Sequence, residues 1–352
     1  MTEAFGALGG IQKFNRDWVT ALAELDSIEQ IELLVRRQSP VNGLPERVTQ
    51  HCPRLGKPGY VAAALSKAKD LGPDDVILCG HIHLMPLAFL VASMTGAKTW
   101  LQLHGVEAWS KPGPLIRRAL TSTGLISVVS RFTRSRFLSW STISPHRVKV
   151  LPTAVSENFN PGNAPVDLKA RMELTGKRVL LTVGRMASNE AYKGQDRVIY
   201  ALPRILEREP DTVYLVVGDG DDRPRLEALT KSLTVEQHVR FLGSVEGSDL
   251  VSLYRIADLF VMPSEGEGFG IVFLEAMACG CRALGLNSGG SIDALSGSQL
   301  GYTCDADELA GAIVDILGSP RGSAEPASSR FSRRAFDACV ADMTKVLAGL
   351  AS

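Results

Sequence analysis

The sequence predicts an α/β protein with two domains, each built on a doubly wound parallel sheet. Its 352 residues are enough for two domains of ordinary size. Short apolar runs alternate along the chain with segments of helical periodicity, which is typical of parallel strands joined by crossover helices. The hydrophobic fraction of 45% and the charged fraction of 22% are those of a soluble globular protein.

The first half supplies strand and helix candidates in alternation. After a loop over residues 1–11, a helix is predicted over 12–25, because apolar side chains recur along one of its faces. The strands predicted next are 31–35, 75–79, 99–103 and 149–153, and the helices among them cover 61–69 and 87–94. Residues 154–176 are rich in loop formers and have little periodicity, which predicts a linker.

The second half continues the same alternation. The predicted strands are 178–184, 213–217, 240–243, 259–262 and 282–285, and the predicted helices follow Gly194 or begin at Arg223, Leu250 and Ile271. Residues 318–329 predict a loop, and residues 333–350 predict a terminal helix. These elements predict a first domain over 1–155, a second over 156–330, and a terminal segment over 331–352 that packs back on the first domain.

Residues 263–280 organise the second half, because a Gly-rich turn with acidic residues lies there between a strand and a helix. Free backbone N–H groups and about half a positive charge converge at a helix N-terminus, which makes such a place an anion site. Glu267 in the turn and Glu275 in the helix suit sugar hydroxyls, which carboxylates accept as hydrogen bonds. Glu265 is interpreted as a loop surface residue. The hypothesis is a nucleotide-sugar site.

Charge is unevenly distributed along the chain. Residues 1–150 hold 18 Lys and Arg against 11 Asp and Glu, a net charge of +7, and the remainder of the chain balances this at −7. Segments 111–118 and 131–137 mix basic and apolar residues. The basic half is interpreted either as a surface that meets an anionic acceptor or membrane, or as an ordinary solvated face that helps the two halves associate.

Several residues allow both a ligand-binding and a structural interpretation. His104 directly follows a predicted strand, at the sheet edge where ligands collect, yet a capping or core histidine gives the same pattern. Gly9 and Gly10 precede the first predicted helix, where a backbone can approach a ligand, and a tight turn explains them as well. His81 and His83 have a spacing that a metal site can use, but without a third ligand they are better interpreted as loop or core histidines.

The sequence predicts no metal site, targeting segment or membrane span. The six cysteines are scattered, and Cys279 and Cys281 lack a second ligand pair. The N-terminus lacks the basic start and long apolar run of a signal peptide, and the longest apolar segment, 85–94, falls well short of the ~20 residues that span a bilayer. A cytoplasmic location is expected, with peripheral contact at the inner face of the membrane as a further possibility and no nucleic-acid partner.

Taken together, these segments resemble glycosyltransferase family 4, the retaining enzymes with a GT-B fold. The most specific part is the pair Glu267 and Glu275, with seven residues between them. The supporting motifs, in the same order as in the family, are Val183-Gly184-Arg185, Lys193-Gly194, 217–220, 241–243 and Ala257-Asp258 ahead of Pro263-Ser264. The resemblance is strong over about 178–317 and weaker but continuous over 1–155, and several spaced motifs in order rarely occur by chance.

The resemblance implies a role for each candidate site residue. The GT-B fold would place two Rossmann-like, doubly wound parallel-sheet domains on either side of a cleft. Arg185 and Lys193 would grip the donor diphosphate, Glu267 would hold the hydroxyls of the transferred sugar, and Glu275 would hold the ribose. His104 would lie beside the reacting sugar. The remaining donor-binding residues implied are Gly9, Gly10, Gly184, Leu242, Gly243, Ser244, Phe269, Gly270, Ile271 and Val272.

The function implied is retaining transfer of a hexose from a UDP- or GDP-linked sugar to a glycan or lipid-linked acceptor, in surface polysaccharide or glycolipid biosynthesis. Two cations and a helix N-terminus can stabilise the leaving diphosphate without a metal or other cofactor. Asp219 and Asp221 form an Asp-x-Asp pattern that is interpreted as a structural turn. The donor phosphate would take the acceptor proton, so no catalytic base is named. The alternatives are a non-catalytic sugar-nucleotide-binding scaffold and another GT-B sugar-phosphate enzyme.

Overall fold

The computed structural model describes residues 1, 4–5, 9–36, 43–320 and 329–349. The chain forms two compact units, Met1–Ala154 with Arg333–Ser352, and Val155–Ser332. The predicted loops at 1–11 and 318–329 lie partly outside the described residues, as does Leu350 at the end of the predicted terminal helix.

In its described part, the first unit contains two parallel sheets. A two-stranded sheet pairs β1 (Ile31–Leu34) with β2 (Val48–His51), and a four-stranded sheet has the order β3 (Val76–Cys79), β4 (Lys98–Leu103), β5 (Leu125–Val128), β6 (Val148–Val150). The strands predicted from the sequence do not include β2 and β5. β6 ends before the predicted strand does, because Pro152 has no N–H group for a ladder hydrogen bond.

Among the residues that the structure describes, five α-helices of the first unit precede the linker. They are α1 (Gly10–Ala23), α2 (Gly56–Lys67), α3 (Met85–Thr95), α4 (Pro114–Thr121) and α5 (Arg131–Leu138). The apolar face predicted for α1 is buried, and its Trp18 packs edge-on against Trp100 of β4 with ring centroids 5.1 Å apart. α2 begins five residues before the predicted start and continues into a 3₁₀ turn over Ala68–Asp70.

The described residues of the second unit form a six-stranded parallel sheet. Its strands are β7 (Arg178–Val183), β8 (Thr212–Val217), β9 (Val239–Gly243), β10 (Leu259–Met262), β11 (Ala283–Leu286) and β12 (Gly301–Cys304), in the spatial order β12-β11-β10-β7-β8-β9. This order is that of a Rossmann fold, with the reversal between β7 and β10. The side chains of β8, β10 and β11 are buried throughout, as expected where helices cover both faces of a parallel sheet.

The helices of the second unit connect these strands. They are α6 (Leu168–Arg171), α7 (Gln195–Leu206), α8 (Arg223–Ser232), α9 (Gly247–Ile256), α10 (Ile271–Ala278), α11 (Ser291–Leu295) and α12 (Leu309–Gly318). Within the described ranges, no helix is both long enough and apolar enough to cross a membrane.

The terminal helix α13 (Arg333–Gly349) belongs to the first unit, where it packs on α1. Phe336 of α13 meets Phe14 of α1 edge-on with ring centroids 5.5 Å apart. The guanidinium of Arg333 lies 3.5 Å from the Asp17 carboxylate. The first unit is therefore assembled from the two ends of the chain.

Candidate active site

Three glycines bring together the loops that follow β7, β8 and β9. The Gly218 N–H donates to the Gly243 carbonyl oxygen at 2.8 Å, and a Cβ added at Gly218 would lie 2.0 Å from the Gly184 carbonyl oxygen. Gly218 also has a φ of +125°, which side chains rarely adopt. Leu242 is half-buried and Ser244 exposed at the end of β9. The backbones of adjacent loops thus meet at the carboxyl edge of the sheet, where ligands of open parallel sheets bind.

A 3₁₀ turn over Ser188–Lys193 lies next to these glycines and is fixed at both ends. At its start, Ser188 donates two hydrogen bonds to the Asp221 carboxylate, from N–H at 2.9 Å and from Oγ at 2.6 Å, and both lower the pKa of Asp221. At its end, a Cβ added at Gly194 would lie 2.4 Å from the Pro263 carbonyl oxygen. The Asp-x-Asp pattern thus contributes a carboxylate that braces this turn. Among the described residues, no group of three or more His, Cys, Asp or Glu side chains is arranged to hold a metal ion.

Glu190 and Lys193 of the braced turn form an ion-pair triad with Arg185, which lies between β7 and the turn. Glu190 Oε1 accepts a hydrogen bond from Arg185 Nη2, and Glu190 Oε2 lies 2.8 Å from Lys193 Nζ. The sequence predicts both cations as site residues but does not predict Glu190. The two cations are therefore held side by side by one carboxylate.

Lys193 and Glu267 lie near each other at the carboxyl edge of the sheet. A Cβ added at Gly184 would lie 3.8 Å from Lys193 Nζ, so the ammonium rests over the backbone at the end of β7. Burial raises the pKa of the Glu267 carboxyl, the positive charge of Lys193 opposes this, and the negative charge of Glu190 adds to it. The predicted phosphate-gripping cation and the predicted sugar-binding carboxylate thus lie within electrostatic reach of each other.

The Gly-rich turn after β10 is tied to the 3₁₀ turn by backbone and side-chain contacts. A Cβ added at Gly266 would lie 2.7 Å from the Tyr192 ring, and the Glu265 N–H donates to the Tyr192 carbonyl oxygen at 3.0 Å. The Glu265 carboxylate lies 2.6 Å from Arg197 of α7. Glu265, interpreted from sequence as a loop surface residue, is exposed in the structure; its backbone joins the Gly-rich turn to the 3₁₀ turn, and its carboxylate joins it to α7. Burial raises the pKa of Tyr192 to about 12.

The N-terminus of α10 adjoins Glu267. Gly270 precedes the helix with a φ of +83°, and its backbone N–H hydrogen-bonds to the Glu267 carboxylate, which lowers the pKa of that group against the effect of burial. Phe269 is buried and meets Phe331 with ring centroids 5.6 Å apart, while Ile271 and Val272 are half-buried. The helix N-terminus thus presents backbone N–H groups beside a carboxylate.

Glu275 projects from α10 into a buried position, where its side chain has a partner that the sequence does not predict. The Tyr254 hydroxyl of α9 donates to Glu275 Oε2 at 3.1 Å, and the residue Glu275 is only 8% exposed. Burial raises the pKa of Tyr254 well above its usual value, and the Glu275 charge adds to this. Tyr254 therefore stays protonated and donates its hydroxyl to the carboxylate of Glu275.

The first unit contains the remaining predicted residues. His104 Nε2 lies 3.2 Å from the Gly80 carbonyl oxygen, and because a carbonyl can only accept, Nε2 carries the proton. Burial lowers the pKa of His104, so the ring is neutral at pH 7. Gly9 caps α1 at a φ of +130°, and a Cβ there would lie 2.5 Å from Gln12 Oε1, whereas the space beside Gly10 is open.

The pair of histidines near the end of β3 has a structural role in the described geometry. The His83 N–H donates to His81 Nδ1 at 3.3 Å, and the two rings stack with centroids 5.1 Å apart. His81 therefore caps the short turn that leads into α3.

Comparison with known proteins decides the family. Residues 167–336 match the model of the family described as glycosyl transferases group 1. The GDP-mannose-dependent alpha-(1-6)-phosphatidylinositol monomannoside mannosyltransferase of Mycolicibacterium smegmatis is 32% identical over 297 residues, which are 79% of this chain and 76% of that protein. The chain belongs to the group 1 glycosyltransferases. The family predicted from the spaced motifs is confirmed, and the protein is a glycosyltransferase.

Solved structures agree on the fold. Sucrose-phosphate synthase from Thermosynechococcus elongatus has a TM-score of 0.80 at 20% identity, covering 99% of this chain and 96% of that one. Anabaena HepE, in a complex with UDP and glucose, has a TM-score of 0.76 at 19% identity, covering 98% of this chain and 99% of that one. The predicted GT-B class of the glycosyltransferase, with two α/β domains on parallel sheets, is confirmed.

Proposed function

We propose that this glycosyltransferase transfers a hexose from a nucleotide-diphosphate sugar to a lipid-linked or glycan acceptor, with retention of the anomeric configuration. The observation that carries the proposal is the position of Lys193, joined to Arg185 through Glu190, within electrostatic reach of Glu267 at the N-terminus of α10. Cations and helix N–H groups suit a diphosphate, and the adjoining carboxylate suits sugar hydroxyls. The name of the mycolicibacterial relative puts GDP-mannose first among the donors to test and a glycolipid first among the acceptors.

In this proposal the donor lies along the carboxyl edge of the second unit. Leu242, Gly243 and Ser244 border the base, and Glu275, hydrogen-bonded by Tyr254, accepts from the ribose hydroxyls. Gly184 lets the diphosphate approach Lys193 closely, because a side chain at that position would fill the space beside the ammonium. The backbone from Phe269 through Gly270, Ile271 and Val272 lines the sugar and phosphates, and Glu267 holds the sugar hydroxyls.

The proposed chemistry breaks the bond between the sugar C1 and the donor phosphate oxygen and forms a bond from C1 to the acceptor oxygen. Attack comes from the leaving-group side, and the acceptor proton passes to the departing phosphate, so no carboxylate nucleophile takes part. Arg185 and Lys193 stabilise the extra charge of the leaving diphosphate, a contribution that commonly amounts to ~100–1,000-fold in rate per group. No metal ion is needed for this step.

The proposal extends to the first unit on the family resemblance. His104 would lie beside the transferred sugar. Its Nε2–H already donates a hydrogen bond to the Gly80 carbonyl oxygen, so its Nδ1 is the ring nitrogen that can accept one. Gly9 and Gly10 would let the backbone at the start of α1 approach the substrate.

The first unit also carries the surface that we propose contacts an anionic membrane. Residues 108–156 contain no Asp or Glu and eight Lys and Arg. A cavity of about 370 Å³ in this segment is lined by Lys111, Arg117, Arg118 and Trp140, among others, and exposed Leu115 lies on the same helix as the two arginines. Clustered cations with an exposed apolar side chain suit a surface of anionic lipid. This would bring the enzyme to a lipid-linked acceptor.

The test is a donor screen. The purified chain is given GDP-mannose and a panel of other GDP-, UDP- and ADP-sugars; binding of each is measured by calorimetry, and released nucleotide is measured in the presence and absence of EDTA. Turnover of one donor that persists in EDTA supports the proposal. Loss of turnover in EDTA contradicts the metal-free step, binding without turnover favours the scaffold alternative, and absence of binding contradicts the site.

A further inference from the structure

One carboxylate, Glu190, stands between the two cations of the candidate diphosphate site. It accepts a hydrogen bond from Arg185 on one oxygen and lies 2.8 Å from Lys193 Nζ with the other. Before any ligand binds, the site therefore already contains an anion in contact with both cations. A diphosphate that binds these cations must share them with Glu190.

The three side chains differ in how far they are exposed. Arg185 is 72% exposed, whereas Glu190 and Lys193 are each 15% exposed. The turn that carries Glu190 is braced at Ser188 by two hydrogen bonds to Asp221, and the Glu190 side chain itself is mostly buried between the two cations. The exposed guanidinium is the member of the triad that can turn toward an incoming ligand.

We infer that Glu190 is a positioning residue that holds Arg185 and Lys193 together and lowers their affinity for bound diphosphate. This inference rests on the proposed function. Glu190 repels the bound diphosphate in the donor and in the product, so both are held less tightly than two bare cations would hold them. Because the nucleoside diphosphate product is held less tightly, it can leave sooner, and product release is the step that limits turnover in many enzymes.

The experiment is Glu190→Gln, which keeps the size of the side chain and removes its charge. Binding of UDP and of GDP to the full chain is measured by calorimetry at low and at high salt. We expect the preferred nucleoside diphosphate to bind about tenfold more tightly, with a steeper loss of affinity in salt. The matching nucleoside, uridine or guanosine, should bind as it does to the unaltered enzyme. With a working donor, both KM and kcat should fall.

Two further variants separate this role from a structural one. Glu209→Gln removes the charge from a carboxylate 3.7 Å from Arg178, at the opposite end of β7, and should leave nucleotide binding unchanged. Ser188→Ala loosens the turn without changing its charge, and should weaken nucleotide binding. If Glu190→Gln binds nucleoside diphosphate more weakly, or with unchanged affinity, the inference is wrong.

The same measurements distinguish failure of the inference from failure of the proposed function. Arg185→Ala and Lys193→Ala should each weaken nucleoside diphosphate binding. If neither does, and turnover is also unchanged, the proposed donor site is wrong. If both do, while Glu190→Gln matches Glu209→Gln, only the role of Glu190 is overturned.

Discussion

The two units of this chain use their charges in opposite ways. In the second unit, Lys193 and Glu190 are each only 15% exposed, lie 2.8 Å apart and are fixed by a braced turn. In the first unit, Lys111, Arg117 and Arg118 line an open cavity, and among the described residues no carboxylate is paired with them. A donor of fixed shape requires a few charges at exact separations, whereas a membrane surface requires only charge density.

This difference has a consequence for mutation. A change at the charged site of the second unit should alter the rate of sugar transfer whatever the acceptor. A change in the basic segment, residues 108–156, should alter only binding to an anionic membrane surface. This distinction between the units would be wrong if removing a positive charge from the first unit changed donor turnover as much as removing one from the second unit. Variants in the two units can therefore be ranked by effect and by the assay in which the effect appears.

The largest effect is expected from Lys193→Met, which keeps the length of the side chain and removes the ammonium. Loss of one group that stabilises a leaving diphosphate costs ~100–1,000-fold in rate. Nucleotide release from the best donor measures it. Lys177→Met is the matched control, because Lys177 lies 2.6 Å from Asp211 at the opposite end of β7. A Lys193→Met enzyme as fast as this control would remove Lys193 from the site.

The next largest effect is expected from a change in the first unit. Each basic residue near an anionic membrane contributes about 1 kcal/mol, so Arg117→Ala with Arg118→Ala should weaken binding to phosphatidylglycerol vesicles by about 30-fold. Flotation at low salt measures this, with phosphatidylcholine vesicles as the neutral reference. Nucleotide binding should not change.

A double variant of the second unit provides the control for this surface. Arg204→Ala with Arg208→Ala removes the same charge from two exposed positions, one in the last turn of α7 and one just after the helix. It should leave vesicle binding intact. Equal losses in the two double variants would mean that overall charge, and not the basic segment, governs binding.

A smaller effect is expected from Tyr254→Phe, which removes the hydroxyl that donates to Glu275. A hydrogen bond to a charged group contributes about 1.5–3 kcal/mol, and part of this should appear as a roughly tenfold weaker binding of UDP or GDP. Calorimetry with pyrophosphate gives the contrast, because a ligand without ribose should bind unchanged. Tyr200→Phe, at an exposed position of α7, is the control. Equal weakening for pyrophosphate would place Glu275 away from the ribose.

Sequence predicted the second unit better than the first for a physical reason. The buried strands of a covered parallel sheet are continuous apolar runs, so β7 and β10 lie where they were predicted, and α10 begins at the predicted Ile271. β2 has only one apolar residue in four, Val48, so its pattern gives no strand signal. It is paired with β1 in a two-stranded sheet, a contact that depends on tertiary structure.

The residues of the candidate site also fall into those that the sequence predicts and those that it does not. Arg185, Lys193 and Glu267 were predicted because they belong to the spaced motifs that the chain shares with the family, and their roles stay predictions. Glu190 and Tyr254 were not predicted, because neither position carries a local signal. Glu190 lies in a short turn without periodicity, and Tyr254 looks like any core aromatic of an amphipathic helix. Each acquires its partner only when the fold brings two segments together.

The smallest effect tests the cost of a buried carboxylate in the second unit. Burial raises the pKa of Glu267 above its usual value of 4.5, so ionising this group is less favourable in the folded than in the unfolded protein. Its charge therefore destabilises the fold above the folded pKa, and the penalty disappears as pH falls to 4.5 and below. Glu267→Gln should unfold at a higher temperature than the unaltered protein at pH 8, by about 2–4 °C for each kcal/mol relieved.

This gain should shrink between pH 8 and pH 5 while donor turnover stays low at both, because the sugar hydroxyls lose their acceptor. Thermal unfolding at the two pH values measures the difference. Glu227→Gln, which removes an exposed carboxylate 2.7 Å from Arg223, should show no such pH-dependent gain. A Glu267→Gln protein that is less stable at pH 8 would mean that Lys193 and the Gly270 N–H more than offset burial, and the carboxylate would then support the fold as well as the proposed site.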